Sequence, residues 1–151
     1  MSESRIRRLA PVVEMAVEEE RKAAGRLGEA HKQVEDARAR LRDLEFYCSE
    51  YEKGWTQRGS QGVGRDWLLN YQRFMAQMQT AIEQQTQTVK WYETSLDKVR
   101  EQWRQRYQRV EALRKLIERY QQEARTRADR QEQKLLDELS QRAFDSRRTN
   151  P

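Results

Sequence analysis

The sequence predicts an all-α protein, a long two-helix antiparallel coiled-coil hairpin with helices of unequal length. Three observations predict it. Of 151 residues, 36% are hydrophobic and 36% charged, too few apolar side chains for a thick globular core. Four of the six glycines fall between Gly54 and Gly64, the one long break in the chain. On both sides of that break, apolar residues recur every seven positions. Disorder, the other outcome of a polar composition, fits poorly. The 30 basic and 25 acidic side chains nearly cancel, and four tryptophans and six tyrosines belong to a packed seam.

A single coiled-coil domain over residues 1–151 follows, with the first helix at about 11–53. Pro11 suits a first helical position, and Glu14 places negative charge in the first turn. The glycine-rich loop covers about 54–65. Asp66 then opens a second helix at about 66–143, followed by a flexible tail over 144–151. With position a at Val13, the first helix steps through Leu27, Val34, Leu41, Cys48 and Trp55, and only Glu20 misses. Its d positions are Ala16, Ala23, Ala30, Ala37, Leu44 and Tyr51. The second helix is apolar at every a position from Leu68 to Ala124, with polar interruptions at d such as Gln85 and Arg106. Beyond Ala124 the stripe slips to Ala128, Leu135 and Leu139. The small d residues of the first helix allow close backbone approach, with Tyr92, Leu96 and Trp103 filling the space opposite.

Helices of about 43 and 78 residues are about 65 and 117 Å long. Folded about the loop, Pro11 lies opposite about residue 108. The stripe beyond, through Val110, Leu113, Ile117, Tyr120, Leu135 and Leu139, then lacks a partner and marks a binding site. An extension of the first helix through Ile6 and Leu9 would cover part of it. Charge divides similarly. Residues 1–96 carry 15 basic and 15 acidic side chains, and residues 97–151 carry 15 and 10, so the whole +5 lies in the second part. Arginine dominates there, a residue suited to bidentate pairing with carboxylates and phosphates. A solvated face with pairs such as Glu111–Lys115 is the plainer account of the same charges.

Several chemistries are excluded on residue content. No apolar run approaches the roughly 20 residues of a membrane span, and no apolar run follows the basic residues at the N-terminus as a secretory signal requires. The lone Cys48 makes no internal disulfide, which fits a reducing cytoplasm. One histidine, His31, and one cysteine build no ordinary zinc site. The Gly59–Asp66 stretch has the spacing of a phosphate loop, but Arg65 replaces the lysine and the Asp66 carboxylate would repel phosphate. Two rods offer no pocket in which to desolvate a catalytic pair, so no enzyme and no cofactor is expected. The acidic residues interleaved with the arginines also argue against nucleic acid.

Aromatics outside the seam remain. Tyr47 and Phe74 lie at g, beside Leu44, Tyr51 and Met78, with Ala81 also at g. If facing residue numbers total about 119, Tyr47 lies near Phe74 and Leu41 near Met78, as expected for a hairpin closed by a loop at 54–65. The merged patch suits a protein interface, although plain thickening of the seam uses the same residues.

The run Tyr47-Cys-Ser-Glu-Tyr51, the glycine-rich loop, Trp67-Leu-Leu-Asn-Tyr71-Gln-Arg-Phe74 and Ala81-Ile82-Glu83-Gln84 resembles the flagellar FliJ family of type III protein export. Trp91, Trp103-Arg104 and Asp129-Arg-Gln-Glu-Gln-Lys134-Leu-Leu-Asp-Glu-Leu139 continue the resemblance over nearly the whole chain. The resemblance implies a non-enzymatic coiled coil that looks like a rotary-ATPase stalk. Such a protein docks in the ring of the flagellar export ATPase, promotes ring assembly, couples it to the membrane export gate and binds export chaperones. It would be cytoplasmic and peripheral to the inner membrane at the flagellar base, without inserting in the membrane. The gate-binding patch falls on Leu44, Tyr47, Tyr51, Phe74, Ala81 and Met78, the last in place of leucine. Arg40 replaces the pattern's glutamine and Gln85 its histidine. The ATPase-facing end falls on Arg114, Ile117, Arg119, Tyr120, Arg125, Arg127 and Arg130. A stalk protein of a virulence-type secretion system, or a basic coiled-coil nucleic-acid binder, would fit the same physical pattern.

Overall fold

The computed structural model describes residues 2–149. Two helices hold nearly all of them, α1 at Ser2–Gly59 and α2 at Arg65–Thr149, with no strand among the described residues. The helices pack against each other in antiparallel fashion within two compact units, Lys22–Arg104 and residues 2–21 with 105–149.

In Lys22–Arg104 the seam is narrow, as the composition requires. Val34 and Leu96 are buried against Ala30, with Leu27, Tyr92 and Val99 packed around them. Full burial of a valine or leucine side chain stabilises by about 1.5–3 kcal/mol, so this cluster is a main source of stability. Ala23, Ala30 and Ala37, all at d, are buried, which confirms the close approach their small side chains allow. The polar d residue Gln85 is satisfied across the seam: its Nε2 donates to the Ala37 carbonyl at 2.9 Å. That bond requires a side chain as small as alanine opposite. A polar residue held at one seam position specifies register. Arg38 pairs with Glu93 across the helices at 3.1 Å, an exposed contact worth about 0.2–1 kcal/mol.

The turn is shorter than the glycines suggest. Helix α1 runs six residues past the expected end, through Gly54, to Gly59, and only residues 60–64 leave helical geometry. The helix ends where Ser60 Oγ donates to the Gln57 carbonyl at 2.7 Å, and Gly62 takes φ 81°, a left-handed conformation open to glycine. Packing of Trp55 against Trp67 and Tyr71 offsets the helical cost of Gly54. Shortening the loop shifts the register. Phe74 meets Tyr51, not Tyr47, and Tyr71 meets Trp55.

In residues 2–21 with 105–149, the expected start at Pro11 is corrected. The helix begins at Ser2 and carries Pro11 inside it. Ile6 and Leu9 continue the a and d positions backward from Val13 and Ala16, and both are half-buried. Burial along that stripe outweighs the missing N–H and the ring clash of an interior proline. Across from it, Val110 is buried, and Leu113, Leu116, Ile117, Tyr120 and Ala124 are half-buried. Arg5 lies 5.5 Å from the Tyr120 ring centroid, and Glu19 pairs with Arg106 at 3.4 Å and Arg109 at 3.8 Å. The uncovered stretch therefore begins after Thr126, not after residue 108. The tail expected at 144–151 is helical through Thr149, whose hydroxyl donates to the Asp145 carbonyl at 3.0 Å. Residues 150–151 lie outside the described residues.

Candidate partner-binding surfaces

The first surface lies in Lys22–Arg104, on the flanks of the seam. Leu44 is half-buried at d and anchors its α1 side. One turn on, Tyr47 is 63% exposed and meets Phe46 edge-on at 6.1 Å between ring centroids. Tyr51 crosses to α2, with ring centroids 4.2 Å from Phe74 and 5.5 Å from Tyr71. Phe74 is exposed, and Met78 and Ala81 follow it half-buried. The structure thus unites Tyr51 and Phe74, while Tyr47 joins the patch through its own helix and not through Phe74. Of the two departures from the family pattern, Gln85 turns inward to the Ala37 carbonyl and Arg40 stays exposed.

Sequence reasoning missed two features. Phe46 and Trp91 are 61% and 64% exposed at f and c positions, where the heptad places solvent-facing residues. A large aromatic at f or c is the signal that could have found them. The second is a ladder of rings in which Trp67, Trp55 and Tyr71 stack on one another at 4.8–6.3 Å and within 21° of parallel. Tyr51 and Phe74 extend it. Burial raises the Tyr71 phenol above its ordinary pKa, and the nearby Glu52 carboxylate, Cys48 and Tyr51 push the same way.

The second surface lies on α2 in the other unit. Two of its expected residues are occupied within the fold, Ile117 in the seam and Tyr120 beneath Arg5. Arg114 pairs with Glu111 at 3.1 Å and Arg119 with Glu123 at 3.5 Å. Arg125, Arg127 and Arg130 are exposed, and none of them makes an ion pair among the described residues. Every residue from Arg127 to Thr149 is exposed, including Leu135, Leu136, Leu139 and Phe144. Uncovered apolar groups beside unpaired guanidinium groups suit an apolar, acidic protein surface.

Among the described residues, no group of three or more His, Cys, Asp or Glu side chains could hold a metal ion, and no helix is long and apolar enough to cross a membrane. Comparison with known proteins points one way. The sequence model of a family described as Flagellar FliJ protein matches residues 4–149. A flagellar FliJ protein of Escherichia coli K12 is 32% identical over 135 residues, covering 89% of this chain and 92% of that one. Another, from Salmonella typhi, is 30% identical over 130 residues, covering 86% and 88%.

Proposed function

The chain belongs to the flagellar FliJ family, and from that premise we propose that it is a non-enzymatic adaptor of flagellar type III protein export. Its uncovered α2 segment docks in the ring of the export ATPase and promotes ring assembly. Its aromatic patch engages the membrane export gate, so that the two machines are coupled through one protein. Export chaperones are further partners, and its place is the cytoplasmic side of the inner membrane at the flagellar base.

One observation supports this most. Helix α2 continues from Arg127 to Thr149 with every side chain exposed, yet it carries Leu135, Leu136, Leu139 and Phe144. A stretch that buries no side chain among the described residues, and still presents apolar residues beside arginines, has its use in another chain. Arg125, Arg127 and Arg130 are the contacts for acidic groups of the ring, and Arg114 and Arg119 stand beside them. Ile117 and Tyr120 hold the segment in position. A flagellar rather than a virulence-type system is favoured because both relatives carry flagellar names.

The test is stimulation of ATPase ring assembly by the full chain and by a chain ending at Thr126. Loss of stimulation with retained helicity supports the docking role. Full stimulation by the shortened chain refutes it.

A further inference from the structure

Residues 2–10 of α1 cover a stretch of α2 that borders the uncovered segment. Arg5 on Tyr120 and Glu19 on Arg106 give one common register for the two helices. In that register Leu9 stands opposite about residue 116, and Ile6 opposite about residue 119. Leu116, Ile117, Tyr120 and Ala124 are half-buried there, while every side chain after Thr126 is exposed. The apolar line of α2 therefore runs on from covered residues to uncovered ones.

The cover is weakly held. Pro11 leaves the Arg7 carbonyl without its helical N–H, and the proline ring crowds that same carbonyl. A segment as short as residues 2–10 does not stay helical alone, so contact with α2 keeps it so. Its only large apolar side chains are Ile6 and Leu9, both half-buried, and its one buried side chain, Ser2, is polar. Charge does not hold it either. Residues 2–10 carry three basic side chains and one acidic, and residues 113–127 carry five and two. Arg7 and Arg8 make no ion pair among the described residues, and Arg5 meets a ring rather than a carboxylate. Closing the segment onto α2 brings positive charge onto positive charge.

We propose that residues 2–10 form a strap that swings away from α2 at Pro11 when an acidic, apolar protein surface binds there. Release uncovers Leu116, Ile117 and Tyr120, which add to the segment after Thr126 and do not replace it. The incoming surface takes over the burial that Ile6 and Leu9 supply. Its carboxylates meet Arg125 and Arg127, which no carboxylate among the described residues pairs. The occupant is the ATPase ring of the reading above, and the strap rests on that reading for its partner alone. The competing arrangement, in which the segment stays on α2 and itself joins the contact, predicts the opposite results below.

The test compares the full chain with Pro11→Ala and with the double substitution Ile6→Ser, Leu9→Ser. Amide hydrogen exchange reads the strap, and stimulation of ATPase ring assembly reads its consequence. Pro11→Ala restores the missing N–H, so exchange at residues 6–10 should slow at least about tenfold. The same variant should need several-fold more protein for half-maximal stimulation, and the double serine variant should need less. Neither variant removes a buried side chain, so the helical circular dichroism spectrum should persist. Added ATPase should speed exchange at residues 6–10 of the full chain and slow it at 113–124. Unchanged exchange in Pro11→Ala, protection of residues 6–10 by the ATPase, or weaker stimulation by the double serine variant overturns the strap. Full stimulation by the chain ending at Thr126 instead overturns the ring reading and the occupant with it. Exchange without ATPase then decides the strap by itself, for it if Pro11→Ala slows residues 6–10 and against it if the two chains exchange alike.

Discussion

Phe74 of α2 lies against Tyr51 of α1 with ring centroids 4.2 Å apart and planes inclined by 36°. Both rings remain partly exposed, so the pair belongs at once to the hairpin and to its surface. It joins an α1 line, Leu44, Tyr47 and Tyr51, to an α2 line, Phe74, Met78 and Ala81. A partner that grips this patch therefore contacts both helices.

The double substitution Tyr51→Ala with Phe74→Ala should abolish binding of the export gate while the helical spectrum persists. The pair itself contributes about 0.5–1.5 kcal/mol beyond area burial, a modest loss for a seam of this length. Tyr47→Ala should weaken the gate contact with almost no change in melting, because Tyr47 is 63% exposed. Surface plasmon resonance and thermal melting read the two effects separately.

Gln85 tests what sets the register. Its side chain reaches the Ala37 carbonyl at 2.9 Å, so Gln85→Leu exchanges a directional bond for apolar burial. Thermal stability should hold or rise, while crosslinking between Arg38→Cys and Glu93→Cys should lose its preference for the native facing pair. Retained crosslinking specificity would show that the rest of the seam sets the register alone.

Close approach at the alanine positions gives a sharper stability effect. Ala30 is buried beside Val34 and Leu96, so Ala30→Leu overpacks the seam and should cost about 1–3 kcal/mol. Ala24→Leu, at an exposed position six residues before Ala30, should change melting little. Chemical denaturation of the two variants gives the comparison.

Alkaline pH addresses the ring ladder. The folded state raises the Tyr71 pKa above its ordinary value of 10.0, chiefly through burial, so the folded chain prefers the neutral phenol. That contribution is fully present below pH 10.0 and is lost as pH rises through the folded-state value. Tyr71→Phe should therefore lose less stability than the native chain above that pH, measured by denaturation midpoints on either side of it.

Much of the fold was legible in the residues. The heptads gave two helices, the glycine cluster located the turn, and the alanines at d announced a close seam that is buried as expected. Boundaries were harder to read. Pro11 looks like a start by local chemistry, yet Ile6 and Leu9 keep the stripe running through it, and burial decided. Gly54 looks like a loop residue, yet Trp55 packs on Trp67 and Tyr71, and the helix continues. These tertiary contacts are non-local, so no reading of local propensity contains them. The same shortening of the turn moved Phe74 from Tyr47 to Tyr51. The six residues expected to form the patch came from the family resemblance, whereas the contacts among them depended on a loop length that glycine content overstated.

The central claim is that one chain couples ATPase ring to gate through two separate surfaces. Its most direct test is recovery of the export gate on immobilised export ATPase, with and without the protein. The gate should be retained only when the full chain is present. Tyr51→Ala with Phe74→Ala should leave the chain on the ATPase and lose the gate, and the chain ending at Thr126 should be lost from the ATPase altogether. Retention of the gate at the same level without the chain, or with both surfaces altered, would contradict the account.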